Sequence, residues 1–375
     1  MKRILFYARD PGAANCILPI YHKLKKNKKL KIILCGKDYA LNLYKKECVK
    51  FIDIAKKVKV LDKESVKIFL QNHSVDAVVS GVGSTDITDR IIWQAAKDLN
   101  IRVTTILDQW QNYKMRFSLK PLLYLKVKNL NHNILPDKIC VMDEVAKKEM
   151  LQEGFPRDII EVTGQPYFEA AIKNYKKISK KNIREFKKGI RIDSKVSIIT
   201  FVSEPIIESY KNHFFCGYNQ LTILRNVIEC LNGLTKSENE KNYCLLVKLH
   251  PRNDRKIMED FLEEYQLKVK FRIIVLSGES SALVISCSDL IIGMSSMFLL
   301  ESVLAKKPVL SVQIGLNEKD PFILSRIGCF KTIVSRKNLV KKMNDWMTRK
   351  SDNVICFPVV KNSVTNVIKV IEKML

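Results

Sequence analysis

The strongest constraint on the fold of this chain is an alternation that runs along nearly its whole length: short apolar runs, each followed by a turn residue and then by a helical period. The opening shows the unit. Arg3 to Tyr7 reads as a strand, Asp10-Pro11-Gly12 as a turn, Ala13 to Lys26 as a helix and Lys31 to Cys35 as a second strand. The pattern then recurs. Strands are predicted at Ala77 to Ser80, Val103 to Leu107, Lys138 to Met142 and Ile160 to Val162, with helices at Asp86 to Asp98 and Asp143 to Glu153. Strands separated by helices imply a parallel sheet covered on both faces.

After Gly164-Gln165-Pro166 the pattern changes, and Ala171 to Lys195 carries ten Lys or Arg residues. A second alternation follows. It places strands at Val196 to Val202, Tyr243 to Lys248, Arg272 to Val275, Leu290 to Ile292 and Val309 to Val312, and helices near Asn219 to Leu231, Arg255 to Glu264 and Ser296 to Ala305. A chain of 375 residues is also too long for one ordinary core. The expected fold is therefore α/β, with two doubly wound Rossmann-like domains: 1–170, a basic linker at 171–195, a second domain at 196–350, and a C-terminal helix in 351–375 that returns to the first domain. In such folds a ligand binds outside the carboxyl ends of the strands, so function is sought in a crevice formed there.

Composition narrows the chemistry. With 46% hydrophobic and 28% charged residues the chain is globular in type. The ten cysteines lie scattered, mostly in apolar runs, without a paired spacing suited to zinc, and read as reduced core residues. The apolar run at the amino terminus is about five residues long, too short for a normal signal peptide, and no run reaches the roughly 20 residues of a membrane span. A protein in a reducing cytoplasmic compartment is expected. The net charge of +26 attracts phosphates, anionic lipid headgroups and polyanions, and is concentrated at 25–32, 114–128 and 173–195. Charge alone does not make a nucleic-acid binder, and no aromatic-interleaved motif or zinc finger accompanies it.

Four segments carry candidate chemistry. Leu290-Ile-Ile-Gly293-Met294-Ser295-Ser296 is a strand that ends in a small residue and two hydroxyls at a helix start, where backbone amides form a phosphate cradle or a serine caps the helix. Glu301 stands about one and a half turns on, within reach of a ribose. Lys248-Leu249-His250-Pro251-Arg252 ends another strand, with an imidazole suited to a phosphate contact or proton transfer and a proline that fixes the backbone after it. Ile106 to Tyr113 (ILDQWQNY) ends a first-domain strand with Asp108, either a general base or a turn aspartate. Asp10 to Asn15 (DPGAAN) places Gly12 at the first helix start, where it serves a turn or a ligand approach. Gly81-Val82-Gly83-Ser84 lacks the third glycine of a dinucleotide fingerprint, so no nicotinamide site is expected.

The block from Leu290 to Gln313 resembles the carboxyl-domain donor site of the GT-B glycosyltransferases. KLHP followed 45 positions later by the two serines resembles the paired HP and serine motifs of bacterial sialyltransferases and related capsule transferases. Val162 to Pro166 and Thr200 to Pro205 (TFVSEP) look like the exit from the first domain and the first strand of the second in GT-B transferases and sugar-nucleotide 2-epimerases. The resemblance implies a metal-independent transfer, with no cofactor beyond the donor. A sugar would pass from a nucleotide donor, CMP-sialic acid or a similar CMP-sugar, to a glycan or lipid-linked acceptor in capsule or surface polysaccharide synthesis. It implies that Gly12, His250, Pro251, Gly293, Ser295 and Ser296 surround the donor, that Glu301 holds the ribose and that Asp108 takes the acceptor proton. Where the family has an acidic pair and glycine, this sequence has Asp108-Gln109-Trp110.

Two other readings remain. A UDP-sugar 2-epimerase shares the architecture but needs several carboxylates and a further histidine, and His213 is the only other second-domain histidine. A non-catalytic accessory protein of a capsule assembly complex would keep nucleotide binding alone. Peripheral attachment to an anionic inner membrane is expected through 114–129, with Phe117, Leu122, Tyr124 and Leu125 among lysines.

Overall fold

The computed structural model describes residues 1–83, 86–119, 127, 129–210, 216–235, 242–348 and 357–375. It divides into two compact units, Met1–Ala170 with Pro358–Leu375, and Ala171–Phe357.

The first unit is a seven-stranded parallel sheet of β1 (Lys2–Ala8), β2 (Leu30–Gly36), β3 (Ile52–Asp53), β4 (Ala77–Gly81), β5 (Arg102–Ile106), β6 (Lys138–Val141) and β7 (Ile160–Val162). Its order is β3-β2-β1-β4-β5-β6-β7. The sheet grows outward in one direction from β1 to β3 and in the other from β4, so the topological switch lies between β1 and β4. Ile4 and Phe6 of β1 and Ala77 and Val79 of β4 are buried under helices Pro11–Leu24 and Ser363–Glu372. Each fully buried Ile or Phe side chain contributes about 1.5–3 kcal/mol of transfer free energy. Gly81 is required here: a Cβ at this position would come within 2.2 Å of the Ala13 Cβ, so only glycine lets the first helix lie this close to β4.

The C-terminal helix Ser363–Glu372 completes this core through Val364, Val367, Ile368 and Ile371. It is pinned by Asn366, whose side-chain amide donates to the Thr163 carbonyl at 3.1 Å, and by Lys23, which donates to the Thr365 hydroxyl at 2.8 Å.

The second unit is a five-stranded parallel sheet of β8 (Ser197–Val202), β9 (Tyr243–Lys248), β10 (Arg272–Leu276), β11 (Leu290–Gly293) and β12 (Val309–Ser311), in the order β10-β9-β8-β11-β12. Its switch lies between β8 and β11. Helix Gln220–Leu234 covers the sheet with Leu224, Val227, Ile228 and Leu231, and Leu339 and Met343 of helix Arg336–Met347 join the same core.

The segment 171–195 carries the end of helix Pro166–Lys177 and all of helix Lys180–Gly189, which a Ser179–Asn182 capping box starts. Most of its lysines are exposed, while Lys187 is half-buried and donates to the Ser194 carbonyl at 3.2 Å. Some expectations need correction. Cys48 and Cys329 are exposed and not core residues, while all nine described cysteines are free. Phe117, expected at a membrane contact, is fully buried against Trp93 and Phe155 at ring-centroid distances of 5.5 and 5.1 Å, so it cannot serve there. Leu122, Tyr124, Leu125 and His213 lie outside the described residues. Among the described residues no helix is long and apolar enough to cross a membrane.

Candidate functional site

Parallel pairing fixes which loops share an edge. In the second unit β8 pairs with β9 through Val202 and Lys248, and with β11 through Phe201 and Ile292. The residues just past these strand ends, Ser203-Glu204, Leu249-His250 and Met294-Ser295-Ser296, therefore gather at one carboxyl edge around the switch point. Gly293 makes the approach tight: a Cβ there would lie 3.2 Å from Leu299 Cδ2 and 3.3 Å from the Val202 carbonyl oxygen.

Helix Met297–Leu304 starts from Ser296, which makes no side-chain capping bond, so the bland reading of these serines as caps does not describe Ser296. The Ser295 amide donates at 2.6 Å to Glu204 Oε1, and the Ser295 hydroxyl donates at 3.0 Å to Glu204 Oε2. Burial pushes the Glu204 carboxyl above the usual carboxylate range, against the lowering effect of these donors. In the sequence Glu204 stands only within the TFVSEP strand and loop. The signal that marks it is its place two residues past a central strand that neighbours β11.

His250 is held by the turn that follows it. Its amide donates to Asn253 Oδ1 at 2.9 Å, and the Arg252 amide donates to its Nδ1 at 3.1 Å. Burial, with Arg252 and Lys248 nearby, lowers its pKa to about 3. The ring is thus neutral at pH 7. With Nδ1 accepting, its hydrogen sits on Nε2 as the only ring donor. Pro251 is exposed in that turn.

Glu301 is buried, and its Oε2 accepts from the Tyr175 hydroxyl at 2.7 Å. Behind the edge, the buried Gln313 accepts from the Tyr218 hydroxyl at 3.0 Å and donates to Asp320 Oδ1 at 2.9 Å. Ser311 donates to the Met294 carbonyl at 2.6 Å and holds the loop in place.

The first unit gathers carboxylates at its own switch point. Asp108, two residues past β5, is 4% exposed, and Arg116 donates to its Oδ1 at 3.0 Å. Burial raises its pKa, Arg116 lowers it and Asp10 raises it. Asp89 takes the Gly83 amide at 2.6 Å and pairs with the fully buried Arg90 at 2.6 Å. Burial raises the Asp89 carboxyl to about 6, against the pull of Arg90. Arg9 bonds Asp10 at 3.1 Å and Asp38 at 2.7 Å, and Lys37 bonds Asp86 at 2.8 Å. Asp10, Asp86, Asp89 and Asp108 look unrelated in sequence and are brought together by the ends of β1, β4 and β5. Among the described residues no group of three or more His, Cys, Asp or Glu side chains is placed to hold a metal ion.

Gly12 belongs to this edge for a steric reason. A Cβ there would fall 1.9 Å from Asp108 Oδ2. Gly12→Ala is expected to displace the Asp108 carboxylate and cost about 1–3 kcal/mol, as overpacking does. A urea denaturation midpoint equal to wild type would refute the contact. A cavity of about 640 Å³ lined by Lys97, Arg102, His132, Asp137, Lys138 and Lys373 opens at the amino-terminal ends of β5 and β6, opposite the carboxyl edge of that sheet.

Over its full length the chain is similar in structure to UDP-GlcNAc 2-epimerase from Methanocaldococcus jannaschii, with a TM-score of 0.67, 16% identity and 100% of both chains covered. UDP-GlcNAc 2-epimerase from Neisseria meningitidis bound to UDP-GlcNAc is similar to the same degree, with a TM-score of 0.67, 16% identity and 100% of both chains covered. A glycosyltransferase from Rickettsia africae ESF-5 is similar with a TM-score of 0.64 and 14% identity, covering 100% of this chain and 98% of that one. No protein family and no curated protein matches the sequence. The fold is that of the GT-B type: two Rossmann-like domains, α/β throughout, with parallel sheets of seven and five strands. The structural neighbours are nucleotide-sugar enzymes.

Proposed function

We propose that this protein binds a UDP-activated sugar at the carboxyl edge of its second unit and epimerises it at C2. The observation that carries this reading is the gathering of His250, Ser295 and Ser296 past the ends of β9 and β11, around the switch point of the second sheet. Inverting a sugar carbon requires one group to remove a proton and another to return one on the opposite face. Asp10, Asp86, Asp89 and Asp108, past the ends of β1, β4 and β5 of the first unit, are carboxylates of the kind such a reaction needs. The full-length likeness to epimerases supports the same reading, and it favours UDP over the CMP donor expected from the HP and serine motifs.

In this reading the neutral His250 donates from Nε2 to a phosphate oxygen, and Ser295 and Ser296 supply amide and hydroxyl donors. Gly293 and Pro251 shape the approach, and Glu301 accepts from the ribose in competition with Tyr175. Asp108, whose charge burial disfavours, is the proton-accepting carboxylate.

Sugar transfer is the second reading, favoured by the spacing of His250 and the two serines and by the glycosyltransferase neighbour. The glycan or lipid-linked acceptor, the capsule context and an anionic membrane surface belong to it. One incubation separates the two. UDP-GlcNAc in deuterated water is expected to yield the C2 epimer with deuterium at C2, followed by proton NMR. Release of UDP only when an acceptor is added, without deuterium incorporation, would support transfer. No change of any UDP- or CMP-sugar under either condition would defeat both.

A further inference from the structure

Helix Met297–Leu304 opens with serines and is filled by neither of their side chains. The Ser296 hydroxyl is buried with no hydrogen-bond partner. The group at the helix start comes from another strand: Glu204 takes both the amide and the hydroxyl of Ser295. The backbone amides around it bind this carboxylate as they would bind an external anion.

Two hydroxyls flank the contact in sequence and are left unused. Ser203, directly before Glu204, is 1% exposed and its hydroxyl is also unpartnered, and Ser296 directly follows Ser295. One Glu204 oxygen accepts from the Ser295 amide and the other from its hydroxyl. The diphosphate of a nucleotide-sugar carries two non-bridging oxygens on each phosphorus, more acceptors than one carboxylate, and could accept from these hydroxyls as well as from Ser295. The internal carboxylate leaves these two hydroxyls unpartnered, and a larger anion would offer them acceptors.

We propose that Glu204 is an internal competitor in the phosphate cradle, occupying the Ser295 donors until a nucleotide phosphate displaces it, and so setting the affinity of the site for phosphorylated ligands. This rests on the reading that the cradle holds a nucleotide-sugar. Two anions cannot share one set of donors without strong repulsion, so binding requires the carboxylate to leave. The release reaches the second donor motif. The Glu204 carbonyl accepts from Asn253 Nδ2 at 3.5 Å, and Asn253 Oδ1 holds the His250 amide at 2.9 Å. A ligand bound only by the competitor-free state has its apparent affinity reduced by the fraction of molecules in that state.

The test is titration calorimetry of UDP with wild type, Glu204→Gln and Glu204→Ala. Glutamine keeps the shape and removes the charge, so it separates competition from misfolding. Both variants are expected to bind UDP at least tenfold more tightly than wild type. Without ligand both should melt at a lower temperature than wild type, because the helix start loses its anion, and UDP should raise their melting temperatures by more. UDP affinity equal to or weaker than wild type in both variants would overturn the proposal while leaving nucleotide binding in place. If neither wild type nor variants bind UDP, the nucleotide-sugar reading falls, and the competitor with it.

Discussion

Replacing Arg116 with methionine is expected to lower stability by about 3–5 kcal/mol, the cost of breaking a buried ion pair from one side. Arg116 and Asp108 are each only 6% exposed in their side chains. The guanidinium also donates to the Val82 carbonyl at 3.0 Å, to Gln109 Oε1 at 3.1 Å and to the Gln111 carbonyl at 3.2 Å. Methionine fills similar volume but donates nothing, so these acceptors and one carboxylate are left buried and unpaired by it. Unfolding of the first unit can be followed through Trp93 and Trp110 in a Trp346→Phe background. The expected result is a lower denaturant midpoint with unchanged steepness. Adding Asp108→Asn should recover part of the loss, since an unpaired amide costs less to bury than an unpaired carboxylate. A single-variant loss below about 1 kcal/mol would mean that water reaches the pair and that it is worth no more than a surface one.

His250→Phe is expected to weaken UDP binding roughly 10- to 150-fold, equivalent to the 1.5–3 kcal/mol of a hydrogen bond to a charged group. Phenylalanine keeps the ring and its packing and removes the Nε2 donor. The protonation state sharpens the test. Because the imidazole pKa is lowered to about 3, the ring carries no charge above pH 5 and does not titrate between pH 5 and 8. The effect of the substitution should therefore stay constant across that range. A wild-type advantage that grows as pH falls through 6.5 would show a cationic ring, and no advantage at any pH would remove His250 from the site.

Much of the architecture is legible in the sequence because buried parallel strands are short apolar runs with few alternatives. The strand at Tyr243 to Lys248 and that at Ile160 to Val162 agree with the structure to the residue. Other elements were silent for a physical reason. Helix Lys63–Asn72 carries more polar than apolar residues, helix Tyr39–Lys46 is only eight residues long and ends in two lysines, and β3 is only two residues long, so none offers a long hydrophobic run. Helix Ser281–Cys287, by contrast, is short and apolar enough to merge with the strand after it.

The site was legible on one side only. His250, Ser295 and Ser296 announce themselves by lying at strand ends beside glycine, proline and a helix start. Glu204 does not, because its partner lies 91 positions away and only the pairing of β8 with β11 brings them together. The same holds for Arg90 and Arg116. In sequence an arginine reads as surface, and nothing local says that Asp89 and Asp108 draw these two inside.

The return of the last helix to the first sheet has a consequence for how the molecule is made. The first unit needs residues 358–375, which leave the ribosome after every residue of the second. Domains usually fold in the order of their synthesis. Here the order is reversed: the second unit is complete while the first still waits, its helix Pro11–Leu24 exposing an apolar flank until Val364, Val367, Ile368 and Ile371 arrive.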